Sequence, residues 1–430
     1  MGIPVSRPAG SARTTLTADV AVIGGGVIGH GIAWEARRSG RSVVLVDDAP
    51  GSGASWAAAG MLAPVSELHY QEEDLLGLML EASRRWPQFA ADLAAAAGAG
   101  PGYLTTATLA VGADAADRRA LMDLREVQQA HGLTVEPLTV REARLREPLL
   151  SPGIACALDT PADHQVDPRR LIACFRSALA ARAGEDGGVE GAEDGFALAD
   201  KGTALEWTGG AVTGVRLAGG GSVRAAETVL ASGMAAPALD NLPAGLRLPL
   251  RPVHGDILRL AVPRHLRPLL TSTVRGLVRG VPVYIVPRDD GTVVIGATQR
   301  EDSLAAGDGA ASSAGGGVSA GGVYQLLRDA QVLLPAVAEL ELLECTARAR
   351  PATPDNAPLL GRVGVARGGH VPGLIVATGF FRHGVLLTPA AAAICCSLMD
   401  GTPDRVWEPF LPDRFSGSAP DTSSTLKETA

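Results

Sequence analysis

The sequence predicts an α/β plus α+β fold, in which a discontinuous domain of parallel strands and helices is interleaved with a second domain built around a mostly antiparallel sheet. Three observations predict it. An apolar run, Val20 to Ile23, leads into GGGVIG (Gly24 to Gly29), then helical sequence and a second apolar run, Val43 to Val46. A strand, a tight turn and an apolar helix recur near the other end, in GLIVATGFFRHGVLLTPAAAAICCSLM. Between them lie short β-branched runs punctuated by glycine. At 430 residues the chain is long enough for two cores.

Residues 1–16 read as a disordered leader. Ala18 to Asp47 reads as strand, Gly-rich turn, helix, strand. Leu75 to Ala97 is Ala-rich and helical in character. Val166 to Arg182 reads as a helix, with Asp167 as N-cap and Pro168 as first helical residue. From Ala204, Gly pairs separate β-branched runs as in an antiparallel meander, which ends in the apolar run Thr228 to Ala231. VHGDILRL, VPVYIVPR and GTVVIGAT supply further strands. Ala305 to Gly322 is Gly, Ala and Ser with one Asp and one Val, and reads as a flexible loop insertion. Val323, Leu326, Leu327, Ala330, Leu333 and Leu334 then recur at helical spacing. This reading assigns 17–86, 155–245 and 340–412 to the nucleotide domain, 87–154 and 246–339 to the second domain, and 413–430 to a disordered tail.

Hydrophobic residues make up 46% and charged residues 20%, ordinary for a globular protein. A net charge of −8 argues against a nucleic-acid partner. The five Cys show no CxxC spacing, so neither a disulfide framework nor a metal site is expected. No apolar run approaches the ~18 residues that cross a bilayer, and no signal peptide is evident. A cytoplasmic protein with reduced thiols and no membrane partner is expected. MGIPVS matches the N-myristoylation pattern, which is too short to carry weight. Only Lys201 and Lys427 are lysines, so the basic residues are nearly all Arg, which reads as compositional bias.

Gly24, Gly26 and Gly29 follow a strand and open a helix, and Asp47 ends the next strand. In that context the pattern has physical content. The first Gly makes the turn, the second lets backbone approach a pyrophosphate, and the third lets helix pack on strand. The helix N-terminus, opened by Val27 and Ile28, holds phosphate charge. Asp47 accepts from a ribose hydroxyl and disfavours a 2′-phosphate; Asp48 is the rival acid. The alternative is a turn that packs helix on strand with no ligand. The fingerprint does not distinguish FAD from NAD.

With ASWAAAGMLAP (Ala54 to Pro64) added, the chain resembles the D-amino-acid oxidase superfamily, and most of all its glycine oxidase (ThiO) branch. The resemblance spans roughly Asp19 to Pro412. It is carried further by HQVDPRRL from His164, VYIVPRDDGTVVIGAT from Val283, ARPATPDNAPLLG from Ala349 and ATGFFRHGVLLTPA from Ala377. It implies a Rossmann-like FAD-binding domain and a substrate-binding domain. Ser55, Ala58, Ala59, Gly60 and Met61 would pack beside the isoalloxazine, their small size leaving room for a flat ring. Gly379 begins the turn into the last helix. The N–H groups of Gly384, Val385 and Leu386 would face the negative charge of reduced flavin.

The resemblance also implies hydride transfer from substrate to flavin, so no acid–base catalytic residue is expected. The protein has to position the substrate and exclude water. Arg350 stands where the family binds the substrate carboxylate, a task suited to an Arg fork. Tyr284 matches the family's assisting hydroxyl, Arg382 an Arg near flavin and substrate, and the carbonyl of Ala63 the acceptor for the amine. Surface pairing of Arg350 or Arg382 and a core role for Tyr284 are the competing readings. His383 and His254 read as structural. Pro282 stands where some glycine oxidases carry His. Neither lysine falls where sarcosine-oxidase relatives place theirs, and Cys345 does not align with their covalent attachment position. Non-covalent FAD is therefore expected.

The function expected is oxidation of glycine, sarcosine or small D-amino acids by O2, giving imine or glyoxylate, ammonia and H2O2 in thiamine thiazole synthesis. A homo-oligomer, a tetramer by the resemblance, is implied. The alternatives are a D-amino-acid or secondary-amine dehydrogenase passing electrons to a carrier, and a non-catalytic flavin-binding subunit of an amine-oxidising complex.

Overall fold

The computed structural model describes residues 15–69, 72–301, 316–365 and 368–416. Two eight-stranded sheets organise it. In the first, the strand Thr15–Ile23 lies between Val43–Val46 and Ser222–Leu230, parallel to both. Leu374–Thr378 continues the parallel order beyond Ser222–Leu230, and Ala197–Leu198 continues it beyond Val43–Val46. The inner strands are buried on both faces, which is why they read as unbroken Val, Ile and Leu. The helices Val27–Arg38, Glu73–Ala97, Pro168–Asp186 and Gly384–Met399 pack together against one face. The meander Gly202–Thr208, Ala211–Leu217 and Ser222–Leu230 forms as expected, antiparallel throughout.

The second sheet runs Glu341–Ala352, Arg251–Ala261, Thr292–Gly296, Val281–Pro287, Thr273–Val278, Thr108–Gly112, Cys156–Thr160 and Glu136–Leu138. All but one of its pairings are antiparallel; the exception joins Thr273–Val278 to Thr108–Gly112. Period-two alternation gives the sheet two unlike faces. Val283, Ile285, Val293, Ile295 and Leu258 pack with Leu326, Ala330 and Leu333 of the helix Ala320–Leu333. Tyr284, Val286, Val294 and Ile257 face the other way, against Ala57, Ala59 and Met61.

Pairing corrects the expected domain limits. Residues 341–352 belong to the second sheet, because Glu341–Ala352 pairs with Arg251–Ala261 along its length. Cys156–Thr160 belongs there too, beside Thr108–Gly112. The expected boundary between 86 and 87 falls inside one helix, Glu73–Ala97, which packs on the nucleotide domain throughout. In the expected insertion 305–322, residues 320–322 already open a helix, and 305–315 lie outside the described residues. Of the expected disordered ends, 15–16 start the first strand. At the other end Arg414 pairs with Asp355, and Asp413 accepts from the Gly364 N–H. Residues 1–14 and 417–430 lie outside the described residues. Among those described, no helix is long and apolar enough to cross a membrane.

Candidate functional site: a dinucleotide cradle facing a carboxylate clamp

The cradle is built by close approach. Gly24 has φ +110°, and a Cβ there would lie 2.6 Å from backbone atoms of Ala231 and Ser232. A Cβ on Gly29 would run into the Gly24 carbonyl. Gly26 is the N-cap of Val27–Arg38 and offers no capping side chain; the Val27 N–H donates to Ser55 Oγ at 3.0 Å. Ile28 is buried behind this turn. Asp47 accepts from the N–H groups of Gly25 and Ala49, and burial raises its pKa. Its neighbour Asp48 is exposed. Thus Gly24, Gly26, Ile28, Gly29, Asp47 and Ser55 converge at one helix N-terminus.

The loop after Ser55 lies on the second sheet. Gly60 has φ +72° and exchanges backbone contacts with Val166; Met61 and Leu62 pair with Gln165 and His164. Arginines of the facing sheet and of a neighbouring helix hold the loop's carbonyls. Arg259 donates to Trp56 O (3.3 Å) and Ala58 O (3.5 Å), and Arg288 donates to Ala59 O. Arg348 donates to Ser52 O (2.9 Å). Arg169 donates to Trp56 O (3.1 Å) and stacks over the Trp56 ring at 3.7 Å. Burial lowers the pKa of Arg288 to about 10.

The clamp lies on the same face of the sheet. Tyr284 sits opposite Gly296 on one neighbouring strand and opposite Arg275 on the other. Its hydroxyl is hydrogen-bonded to Arg350; burial raises its pKa, and the Arg350 charge opposes the rise. Arg350 also donates to Thr298 O at 3.4 Å. Gly255 and Gly296 make the space, since a Cβ on Gly255 would overlap the Arg350 guanidinium and one on Gly296 the Tyr284 phenol. Pro351 O accepts from the Phe381 N–H at 3.0 Å, which ties the clamp strand to the turn before the last helix.

That turn carries Arg382 and His383. Arg382 is committed within the protein: it pairs with Glu67 at 2.8 Å and with Glu72. Glu67 is 13% exposed and also pairs with Arg275. Burial would raise the Glu67 pKa, but Arg275 and Arg382 outweigh it and hold the carboxyl well below its usual range. His383 caps Gly384–Met399 and is 2% exposed, with no hydrogen-bond partner at Nε2 among the described residues. Burial, then the Arg382 charge, lowers its pKa to about 3, so the ring is neutral. Gly384, Val385 and Leu386 form the first turn after it, and Leu386 O accepts from Trp86 Nε1 at 2.8 Å. Gly379, with φ +73°, packs on Thr353. Ala63 O accepts from the Glu67 N–H at 3.1 Å, which leaves one lone pair. His254 is buried within its strand, and Pro282 is exposed.

Sequence reasoning missed Glu67, Arg275, Arg259, Arg288, Gly255 and Gly296. Arg348, which also holds the loop, carried a signal in its spacing from Arg350. Arg348 and Arg350 alternate along one strand, so they share a face. Cys345, three residues before Arg348, has the opposite alternation and packs with the apolar face of the sheet. Among the described residues no cluster of three His, Cys, Asp or Glu could hold a metal.

The residues present fit an FAD. The uncapped helix start, the glycine cradle, Asp47, the small residues from Ala57 to Gly60 and the buried Nε2 of His383 at a second helix start are the groups that would hold it. Fold and site together define a dinucleotide-dependent oxidoreductase of two interleaved domains, with the Arg350–Tyr284 pair on the sheet that faces the cofactor loop. The chain belongs to the DAO family, FAD dependent oxidoreductase, whose profile matches residues 19–398. It is 31% identical over 384 residues to the glycine oxidase of Geobacillus kaustophilus (strain HTA426), covering 89% of this chain and 93% of that one. The crystal structure of glycine oxidase from Geobacillus kaustophilus superposes with a TM-score of 0.78 at 29% identity, covering 93% of this chain and 99% of that one. The bifunctional protein ThiO/ThiG of Trichormus variabilis (strain ATCC 29413 / PCC 7937) is 30% identical over 409 residues, 95% of this chain. The chain spans 56% of that protein's length, about half of the bifunctional relatives it matches.

Proposed function

We propose that this protein oxidises glycine, and other small amines such as sarcosine and small D-amino acids, to the imine with reduction of O2 to H2O2. Water converts a released imine to glyoxylate and ammonia. The names of relatives, glycine oxidase and putative thiamine biosynthesis oxidoreductase ThiO, support a place in thiamine synthesis.

One observation carries the reading. Arg275 and Arg350 lie near Tyr284, Arg382 reaches the same Glu67 as Arg275, and of these three Arg350 is the one that pairs with no carboxylate among the described residues. A guanidinium held by a phenol and a carbonyl keeps its fork for an incoming carboxylate. The Tyr284 O–H donates to the same carboxylate, and the second lone pair of Ala63 O accepts from the amine. Three contacts fix the Cα–H bond in direction, which is the protein's main contribution to this class of reaction. The FAD, when bound, supplies the two-electron acceptor. The apolar wall of Val286, Val294, Ile257 and Ala59 excludes water from it. The outward-turned Cys345 supports non-covalent FAD.

Anaerobic mixing of the purified holoprotein with glycine, sarcosine, D-Ala and D-Pro, followed by admission of air, tests this. Bleaching of the flavin band with glycine and then one peroxide per glyoxylate is expected. Bleaching without peroxide would mark a dehydrogenase that uses a carrier. Silence with every amine would mark a non-catalytic subunit. A homo-tetramer is the assembly expected, to be read by light scattering.

A further inference from the structure

The guanidiniums around Tyr284 are not equivalent. Arg275 stands directly across from Tyr284 in the sheet, with Nη1 3.9 Å from Met61 Sδ of the cofactor loop. Arg275 and Arg382 reach Glu67 from two sides. Glu72 holds the far end of Arg382 and accepts from Asn356 Nδ2 at 2.8 Å. The cations beside the clamp therefore already have carboxylates of the protein's own. Resting on the reading of Arg350 as the substrate clamp, we propose that Glu67, fixed between Arg275 and Arg382, makes this a one-carboxylate site that selects against amines bearing a second carboxylate.

An acidic substrate is disfavoured for two reasons. With its first carboxylate on Arg350, a second one directed toward Arg275 or Arg382 meets Glu67, which those same arginines keep ionised. Like charges at a mostly buried site repel with little screening. Taking an arginine from Glu67 instead would leave the Glu67 carboxylate without its partner in a buried place. Glycine, sarcosine and D-alanine carry no group that meets this barrier. Glu67 thus acts as a specificity determinant with no part in the oxidation itself.

The test compares sarcosine with iminodiacetate as substrates of the holoenzyme. It also compares glycolate with tartronate as non-reacting ligands, read by calorimetry. The wild type is expected to prefer sarcosine and to bind glycolate but not tartronate. Glu67→Gln should narrow both preferences by about tenfold or more, chiefly through KM and Kd, as removal of a like charge does. Glu67→Asp, which keeps the charge, should restore them. A wild type that takes iminodiacetate as well as sarcosine overturns the proposal, whether or not the variants fold. So does a Glu67→Gln enzyme that retains FAD with both ratios unmoved. If no amine is oxidised but glycolate still binds and tartronate does not, the oxidase reading fails and the selection stands.

Discussion

In the proposed site Arg350 and Glu67 divide the charge of the substrate end between them, one open to a ligand carboxylate and the other closing off its neighbours. Arg350→Ala removes the fork and should weaken substrate interaction by about 2–5 kcal/mol, seen in kcat/KM for glycine at unchanged FAD content. Arg350→Lys keeps the charge without the planar fork and should recover only part of it. Gly255 offers a subtler check, because it touches the clamp without being part of it. Its missing Cβ is the space the guanidinium fills. Gly255→Ala should raise KM by an amount worth about 1–3 kcal/mol, the usual cost of overpacking, with kcat and FAD content little changed. At this scale the sequence singled out the two residues proposed as the clamp. Tyr284 and Arg350 are both where their motifs put them, and the structure joins them by a hydrogen bond. Glu67 was not legible. Nothing in GMLAPVSELHY marks that residue until the sheet folds over and brings Arg275 to it.

The cofactor loop is a short segment with little regular structure of its own, held by arginines from the facing sheet. Arg288 is the most buried of them and also donates to Gln165 Oε1 and Val166 O. Arg288→Met should leave these acceptors without donors, at about 1–3 kcal/mol for each one left buried and unsatisfied, and lower Tm and FAD retention together. The two helices that start at the cradle each bury a histidine. His30 is lowered by burial to about 4, and His383 by burial and then Arg382 to about 3. The unfolded chain takes up these protons near pH 6.5 while the folded one refuses them. Stability is therefore complete above that pH and declines as pH falls toward 4. Asp163 works in the opposite sense: burial raises it to about 6, so the folded state gains a proton there. Urea melts at pH 7.5 and 5.5 should show a smaller loss for His383→Gln than for the wild type. Helices and strands were largely legible, because glycine punctuation and β-branched runs are local signals. The arginines that hold the loop were not, because their meaning lies in which sheet face they share.

Across the whole molecule, neither domain is continuous in sequence. The second sheet takes its strands from two stretches, 108–160 and 251–352, while the nucleotide sheet takes its own from either side and from between them. The fold type was legible from the first and last strand–turn–helix units. The limits of the domains were not, since a strand such as Glu341–Ala352 declares its sheet only through its partner. One consequence is that the active site has no half that stands alone. The cradle near Gly24, the loop at Ala58, the clamp at Arg350 and the turn at Arg382 come together only when both sheets are formed. The central claim is that this assembled site holds an amino-acid carboxylate on Arg350 for oxidation. Anaerobic titration of wild-type and Arg350→Ala holoproteins with glycine, following the flavin band, tests it most directly. The account predicts that the wild type bleaches fully and that the variant, with the same FAD content, bleaches only at far higher glycine. Equal bleaching of both at the same glycine concentration would contradict it.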